Sequence, residues 1–244
     1  MDPIRQFEKE RAQRIKSYAT DRRLQEAGSK FIEASLDALY SYNFSWLGRP
    51  IIQYPQDLLA LQEIAWRIQP DLVIELGIAH GGSLIFQASL LELLGGAGRV
   101  LGVDIDIRAH NRQQIEQHPL AHRISMIEGS SIDPAVAEQV HAVAQGAGSV
   151  LLCIDSMHTH QHVLRELEIY TPLVSPGSYA VVFDGIIERM PASFSADRPW
   201  GPGDNPLTAT RAFLNEHPEF EVDEEIEAKL QITAAPSGYL RRRH

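Results

Sequence analysis

The segment that decides the fold spans residues 72–83 and reads LVIELGIAHGGS. Its first half, Leu72–Leu76, is an apolar run with the length of a buried strand, and a glycine-rich turn follows it. Beyond the turn, Ser83–Leu94 has the length and composition of a helix. The segment therefore predicts one strand–turn–helix unit, with which the rest of the chain can be compared.

The same unit recurs along the next hundred residues. Further apolar runs lie at Val100–Val103, Ile124–Ile127, Val150–Ile154 and Tyr179–Phe183. Helix-length segments separate these runs, at His110–His118, Pro134–Ala144 and His160–Leu173. Strands that alternate with helices are typical of βαβ units around a parallel sheet that is covered on both faces.

The C-terminal part has a different pattern. Glu188–Pro206 is rich in Pro, Gly and Asp and predicts a long loop, and a helix is expected at Leu207–Glu216. Two strand-like segments follow without an intervening helix, Phe220–Ile226 and Leu230–Leu240, so we expect an antiparallel hairpin at the sheet edge. Together the units predict an α/β protein with the Rossmann-like class I methyltransferase fold and a mostly parallel seven-stranded sheet.

The N-terminal part differs in charge. Residues 1–30 contain eight Lys or Arg and five Asp or Glu, so they carry +3 whereas the remaining 214 residues carry −13. We expect a helical arm over residues 1–45 that forms a surface helix or an oligomer contact, with disorder as the alternative. Amphipathic helices are expected at Phe31–Tyr42 and from Pro55 onward. One domain over residues 46–244 follows the arm.

Composition excludes several functions. The net charge of −10 argues against non-specific nucleic-acid binding, and the single cysteine, Cys153, excludes an internal disulfide and a multi-cysteine zinc site. A P-loop and a pyridoxal Schiff base each need a lysine, and no lysine lies between Phe31 and Ala228, where the core is expected. No apolar run approaches the ~18 residues of a membrane span. We expect a cytoplasmic protein without nucleic-acid or membrane partners.

The glycine turn is the first candidate ligand site. Its spacing, G-x-x-x-G-G, differs from the G-x-G-x-x-G of dinucleotide-binding folds, and the backbone N–H groups at the helix start suit a polar ligand. Glu75 lies just before the glycines and favours a ligand with a positive charge. A tight turn that binds nothing is the alternative.

Asp104 ends the second strand and follows Gly82 by 22 residues, close to the interval at which an acid reaches ribose hydroxyls. Asp106 is expected to face solvent or to cap the next helix. After the third strand, Ser131 has a hydroxyl that fits beside an adenine ring, although Gly-Ser is also ordinary turn chemistry.

Asp155, His158 and Asp184 follow the fourth and fifth strands. The carboxyl ends of parallel strands meet at one crevice, so these side chains are expected to converge. His158 is either a general base or a structural residue. A surface or capping role is expected for His160 and His162.

These motifs resemble the cephalosporin hydroxylase-like family of S-adenosylmethionine-dependent methyltransferases, which includes rhamnosyl O-methyltransferases. The matching stretches are Trp46–Ile51, Tyr54–Asp57, IELGIAHGGS, GVDIDIRAHNR, IEGSSIDP, the segment Asp155–His158, ELEIYTPLVSPGSY and PSGYLRR. The resemblance implies cofactor contacts by Glu75, Gly77, Gly81, Gly82, Ser83, Asp104 and Ser131. It also implies that Asp155 positions a loop or the cofactor.

The resemblance implies a magnesium site from which this chain departs. Met157 and Phe183 stand where the family has two acidic ligands, and Asp184 is the one expected carboxylate that is kept. Magnesium prefers oxygen ligands, which a thioether and a phenyl ring do not supply. We therefore expect a metal-independent reaction in which His158 and Asp184 are the catalytic groups.

The sequence predicts methyl transfer to a hydroxyl group of a sugar or antibiotic-like small molecule by a homo-oligomeric enzyme. The alternative is a non-catalytic subunit that keeps the S-adenosylmethionine pocket, which the loss of two carboxylates favours. Oxygenation is a weaker alternative, because no facial triad of two histidines and one carboxylate can be assigned.

Overall fold

The computed structural model describes residues 2–243. The N-terminal elements are the helices α1 (Pro3–Tyr18) and α2 (Arg22–Asp37), the strands β1 (Phe44–Trp46) and β2 (Arg49–Ile51), and the helix α3 (Pro55–Ile68). The side chains of Asp2 and Asp21 accept hydrogen bonds from backbone N–H groups in the first turns of α1 and α2. These N-caps explain why a polar segment begins two helices here.

A seven-stranded sheet forms the centre of the fold. Its strands are β3 (Leu72–Leu76), β4 (Arg99–Asp104), β5 (Ile124–Glu128), β6 (Val150–Ile154), β7 (Tyr179–Val182), β8 (Phe220–Val222) and β9 (Tyr239–Arg242). They lie in the order β5-β4-β3-β6-β7-β9-β8. The strands β3 to β7 are parallel, and β9 is antiparallel to both of its neighbours. The prediction of a mostly parallel seven-stranded sheet with an antiparallel C-terminal pair is confirmed.

Helices cover both faces of this sheet. They are α4 (Gly82–Leu94), α5 (Ala109–Glu116), α6 (Pro134–Ala144), α7 (His160–Tyr170), α8 (Pro206–Glu216) and α9 (Glu224–Leu230). Alternate strand residues point to opposite faces, so Val73 and Leu151 pack with α3 and α4 whereas Ile74 and Leu152 pack with α6 and α7. All five parallel strands thus present their carboxyl ends at one edge.

The prediction that no helix separates the last two strands is wrong. Helix α9 lies between β8 and β9, and most of the expected strand Leu230–Leu240 is loop. The Asp223 side chain caps α9, and Ile226 and Leu230 bury one side of it. The loop then runs along Asp57, whose carboxylate accepts hydrogen bonds from the Thr233 hydroxyl and the Ala234 N–H.

The N-terminal prediction also needs correction. The helix expected at Phe31–Tyr42 is the end of α2, which begins nine residues earlier, at Arg22, and the β1–β2 ribbon was not expected. This ribbon packs on α4, where the Trp46 indole donates a hydrogen bond to Ser89 Oγ at 3.0 Å. The expected division between residues 45 and 46 falls inside β1 and stays a prediction. Among residues 2–243, no helix combines the length and the apolarity needed to cross a membrane.

Candidate active site

A cavity of about 640 Å³ lies at the carboxyl ends of the parallel strands. Six residues that the sequence singled out line its wall: Gly77, Asp104, Ser131, Asp155, His158 and Asp184. The other four, Glu75, Gly81, Gly82 and Ser83, are not among the residues that line it. The volume lies within the range of small-molecule sites.

The glycine turn is held by tight packing against protein atoms. A Cβ atom at Gly77 would lie 1.9 Å from the carbonyl oxygen of Asp155, and one at Gly82 would lie 2.1 Å from that of Pro50. Gly77 also has a φ of +99°, which favours glycine. These two positions therefore need glycine even before a ligand is considered, and their predicted cofactor contacts stay predictions.

Glu75 lies beneath the glycine turn. It is 3% exposed, and its carboxylate accepts a hydrogen bond from the Ser83 hydroxyl. Burial raises the pKa of Glu75 from 4.5 to about 8, the Ser83 hydrogen bond lowers it, and the nearby Asp104 carboxylate raises it. A cationic group near Glu75 would favour its ionised form, and the expected positively charged ligand stays a prediction.

Asp104 connects the first two strand ends. Its Oδ2 accepts hydrogen bonds from the backbone N–H groups of Ile78 at 2.7 Å and Ala79 at 3.2 Å, and its Oδ1 accepts from Asp106 at 3.0 Å. A carboxylate has about four acceptor sites, so the backbone fills most of them. Asp104 therefore anchors the glycine turn as well as lining the cavity, a second task that the sequence did not indicate.

Ser131 belongs to a buried polar network. Its hydroxyl donates to Glu166 Oε1 at 2.5 Å, and His162 Nε2 lies 3.0 Å from the same hydroxyl oxygen. Ser156 donates to the same Glu166 oxygen at 2.5 Å. Glu166 was not singled out from the sequence, although its position four residues after His162 on one helix face was a usable signal.

His158 and Asp184 form the polar centre of the cavity. His158 Nε2 lies 3.1 Å from Asp184 Oδ2, so the ends of β6 and β7 bring the two side chains together. The Trp200 ring packs edge-on against His158 with 5.5 Å between centroids, and the Arg198 guanidinium lies 5.7 Å from the Trp200 centroid. Neither Arg198 nor Trp200 was expected beside His158.

The donor set at this position does not fit magnesium. Asp155, His158 and Asp184 carry ligand atoms within 4.8 Å of one another, but an imidazole suits transition metals better than magnesium. Burial, and then the carboxylates of Asp184 and Glu75, raise the pKa of Asp155 well above its ordinary value. Met157 and Phe183 add no oxygen ligand.

The outer wall of the cavity is largely apolar. Residues from the end of α2, from the turn that follows it and from the loop after β7 form it: Leu36, Leu39, Tyr42, Met190, Phe194 and Trp200. The loop expected at Glu188–Pro206 contains a 3₁₀ turn at Ala192–Ser195. Glu188 anchors it by accepting from the Gly203 N–H at 2.8 Å and from Asn205 Nδ2 at 2.5 Å.

Relatives of the chain are methyltransferases by name. Rhamnosyl O-methyltransferase of Mycobacterium tuberculosis (strain H37Rv) is 36% identical over 191 residues, which cover 76% of this chain and 73% of the relative. Rhamnosyl O-methyltransferase of Mycobacterium leprae is 31% identical over 203 residues, covering 82% and 83%.

Solved structures show the same fold. CmcI with Mg and SAM has a TM-score of 0.58 at 18% identity, covering 83% of this chain and 78% of its own. An O-methyltransferase from Bacillus cereus in complex with SAH has a TM-score of 0.53 at 16% identity, covering 85% and 90%. The family model "Rhamnosyl O-methyltransferase/CmcI" matches residues 38–243. With its fold and more than two thirds of its length matched, the chain belongs to the rhamnosyl O-methyltransferase/CmcI family.

Proposed function

We propose that the chain transfers the methyl group of S-adenosylmethionine to a hydroxyl group of a sugar or natural-product small molecule, without a magnesium ion. The observation that carries this proposal is the His158–Asp184 pair in the cavity, 3.1 Å apart, beside Met157 and Phe183, which stand where the resemblance predicts two acidic ligands. The rhamnosyl O-methyltransferases among the relatives support a sugar hydroxyl as the acceptor.

The cavity fits the cofactor chemically. Gln53 is 6% exposed and lines the wall, and its Nε2 donates to Asp155 Oδ2 at 3.0 Å. Its buried Oε1 has no hydrogen-bond partner among residues 2–243. An ammonium group is a donor and would satisfy this acceptor, and Asp104 keeps a free acceptor site for a ribose hydroxyl. Glu75, Gly77, Gly81, Gly82, Ser83, Ser131 and Asp155 complete the proposed cofactor site.

When bound, S-adenosylmethionine supplies an electrophilic methyl group on a sulfonium centre. The acceptor hydroxyl must lose a proton as its oxygen bonds to that methyl group. We assign the proton of the neutral His158 imidazole to Nε2, which lies 3.1 Å from Asp184 Oδ2, so that the lone pair on Nδ1 takes the acceptor proton. Asp184 stabilises the imidazolium that forms, and the Trp200 ring packs edge-on against His158. The products are a methyl ether, S-adenosylhomocysteine and a proton.

The second candidate is a non-catalytic subunit that binds the cofactor. Met157 and Phe183, in place of two carboxylates, favour it. The paired His158 and Asp184 argue against it, because a cavity that only binds a cofactor has no need of a general base.

A homo-oligomer and a cytoplasmic location complete the proposal. Ile4 and Phe7 on α1 are 69% and 56% exposed, and apolar side chains in that position suit a contact with a second copy. Light scattering at micromolar concentration tests the oligomer, which a monomeric mass contradicts. Cell fractionation tests the location.

The function is tested with methyl-tritiated S-adenosylmethionine and a panel of acceptors that begins with p-nitrophenyl α-L-rhamnoside and other deoxyhexosides. We expect label on a sugar hydroxyl, located by mass spectrometry. If the protein binds S-adenosylhomocysteine in calorimetry but labels none of the panel, the subunit hypothesis replaces the enzyme.

A further inference from the structure

A carboxylate that the proposed reaction does not use lies behind the cavity wall. Glu166, on helix α7, is fully buried. Its Oε1 accepts hydrogen bonds from the hydroxyls of Ser131 and Ser156, both at 2.5 Å. Its Oε2 is buried and has no partner within the described part of the chain. A buried carboxylate shared by two hydroxyls has consequences for what those hydroxyls can bind.

The carboxylate fixes the direction of both serine hydroxyls. An ionised carboxylate only accepts hydrogen bonds, whereas a serine hydroxyl has one proton and two lone pairs. Because the protons of Ser131 and Ser156 both point to Glu166, the hydroxyl oxygens have only lone pairs left for other partners. Both serines line the cavity. The part of the cavity wall formed by Ser131 and Ser156 therefore presents hydrogen-bond acceptors to a ligand.

Two further contacts hold the arrangement in place. His162 Nε2 lies 3.0 Å from Ser131 Oγ and 3.3 Å from Glu166 Oε1, so one face of the network is closed by an imidazole. The Tyr170 hydroxyl donates to the backbone carbonyl of Ser131 at 2.5 Å. These contacts come from α7 and position the Ser131 backbone and side chain together.

We propose that Glu166 is a positioning residue that makes Ser131 and Ser156 hydrogen-bond acceptors, and that they thereby select a nucleobase with an exocyclic amino group. The inference rests on the proposed function, which places a nucleoside in this cavity. Adenine presents an N–H donor to the two oxygens. A nucleobase with a carbonyl at that position places a second acceptor against the two serine oxygens. No hydrogen bond can form, and the buried polar atoms stay unpaired.

The test compares calorimetric binding of S-adenosylhomocysteine with that of S-inosylhomocysteine, in which a carbonyl replaces the amino group. We expect the wild-type protein to bind the adenosyl compound about 10- to 100-fold more tightly, the range for one unpaired buried group. In Glu166→Gln the amide can donate N–H to the serines and free their protons, so this ratio should fall to about threefold or less.

Two further variants show whether a change in the ratio of dissociation constants comes from the serine acceptors. Ser131→Ala removes one acceptor and should also lower the ratio, whereas Ser125→Ala, on the exposed edge strand, should keep it. A misfolded fraction lowers the binding stoichiometry but not the ratio of dissociation constants. If Glu166→Gln does not fold, Ser131→Ala decides.

The outcomes separate the two proposals. Equal affinity of the wild-type protein for both compounds overturns the inference and leaves the proposed function in place. An unchanged ratio in Glu166→Gln shows that Glu166 is only structural and overturns its positioning role. Absence of S-adenosylhomocysteine binding overturns the proposed function and the inference with it.

Discussion

The two halves of the cavity differ in how closely they follow the family pattern. The half at β3 and β4 keeps the glycine turn and Asp104, and backbone hydrogen bonds tie that carboxylate to the turn. The half at β6 and β7 keeps Asp184, which pairs with His158, but has Met157 and Phe183 where the resemblance predicts carboxylates. Packing constrains the β3–β4 half, which we propose holds the cofactor and call the cofactor half. The β6–β7 half, which we propose holds the acceptor and call the acceptor half, departs from the expected pattern on the same fold.

The largest effect is expected at the acceptor half, in His158→Ala. Loss of the general base should lower kcat by about 10²–10⁴, while the affinity for S-adenosylhomocysteine changes by less than about twofold. His122→Ala, at an exposed histidine, is the matched control and should leave both quantities unchanged. Steady-state kinetics and calorimetry measure the two quantities separately, and full activity in His158→Ala would make this histidine structural.

The second-largest effect is expected in the cofactor half, where Glu75→Gln should change how the free energy of unfolding depends on pH. The folded-state pKa of Glu75 is raised from 4.5 to about 8, so between these values the folded protein holds a proton that the unfolded chain loses. The free energy of unfolding should therefore fall as pH rises from about 5 to 8, by a few kcal/mol more in the wild-type protein than in Glu75→Gln.

Denaturant titrations at several pH values measure this difference. The buried carboxylate of Asp57, whose pKa is also raised but not by Glu75, titrates in both proteins and cancels in the comparison. The Glu75 carboxylate also raises the pKa values of Asp155 and Cys153, so the titration of these two groups contributes to the measured difference. Parallel stability curves for the two proteins would show that Glu75 is ionised beneath the turn.

A smaller effect is expected in Asp104→Ala. Loss of the carboxylate should weaken binding of S-adenosylhomocysteine by about 1–3 kcal/mol and should change kcat little. Asp106→Ala, two residues on and exposed, is the control and should bind normally. Unchanged calorimetric affinity in Asp104→Ala would remove this residue from the ribose site and leave it only its role in the turn.

Most of the fold could be predicted because it depends on local periodicity. The five parallel strands are mostly apolar, and each is buried or nearly so except β5 at the sheet edge. Helix α9 and the β1–β2 ribbon were missed for a shared reason. Helix α9 has seven residues and each strand of the ribbon has three, and their stability comes from distant partners such as Ser89 for Trp46, which periodicity does not report.

The candidate site divides in the same way. Asp104, Asp155, His158 and Asp184 could be placed because strand ends converge at one edge of a parallel sheet. Gln53 and Glu166 could not, since they come from the segment between β2 and α3 and from a helix face, whose positions depend on tertiary packing. Sequence reasoning also treated the glycines as room for a ligand, whereas Gly77 and Gly82 are packed against protein carbonyls.

The central claim is that His158 takes the proton of the acceptor hydroxyl and that no metal ion is needed to lower the pKa of that hydroxyl. It is tested most directly by the rate of tritium transfer from S-adenosylmethionine to a validated acceptor, after chelator dialysis and again after adding magnesium. The predicted result is the same rate under all conditions for the wild-type protein, with the loss confined to His158→Ala. Abolition by the chelator with rescue by magnesium would contradict the claim and assign the reaction to a metal site.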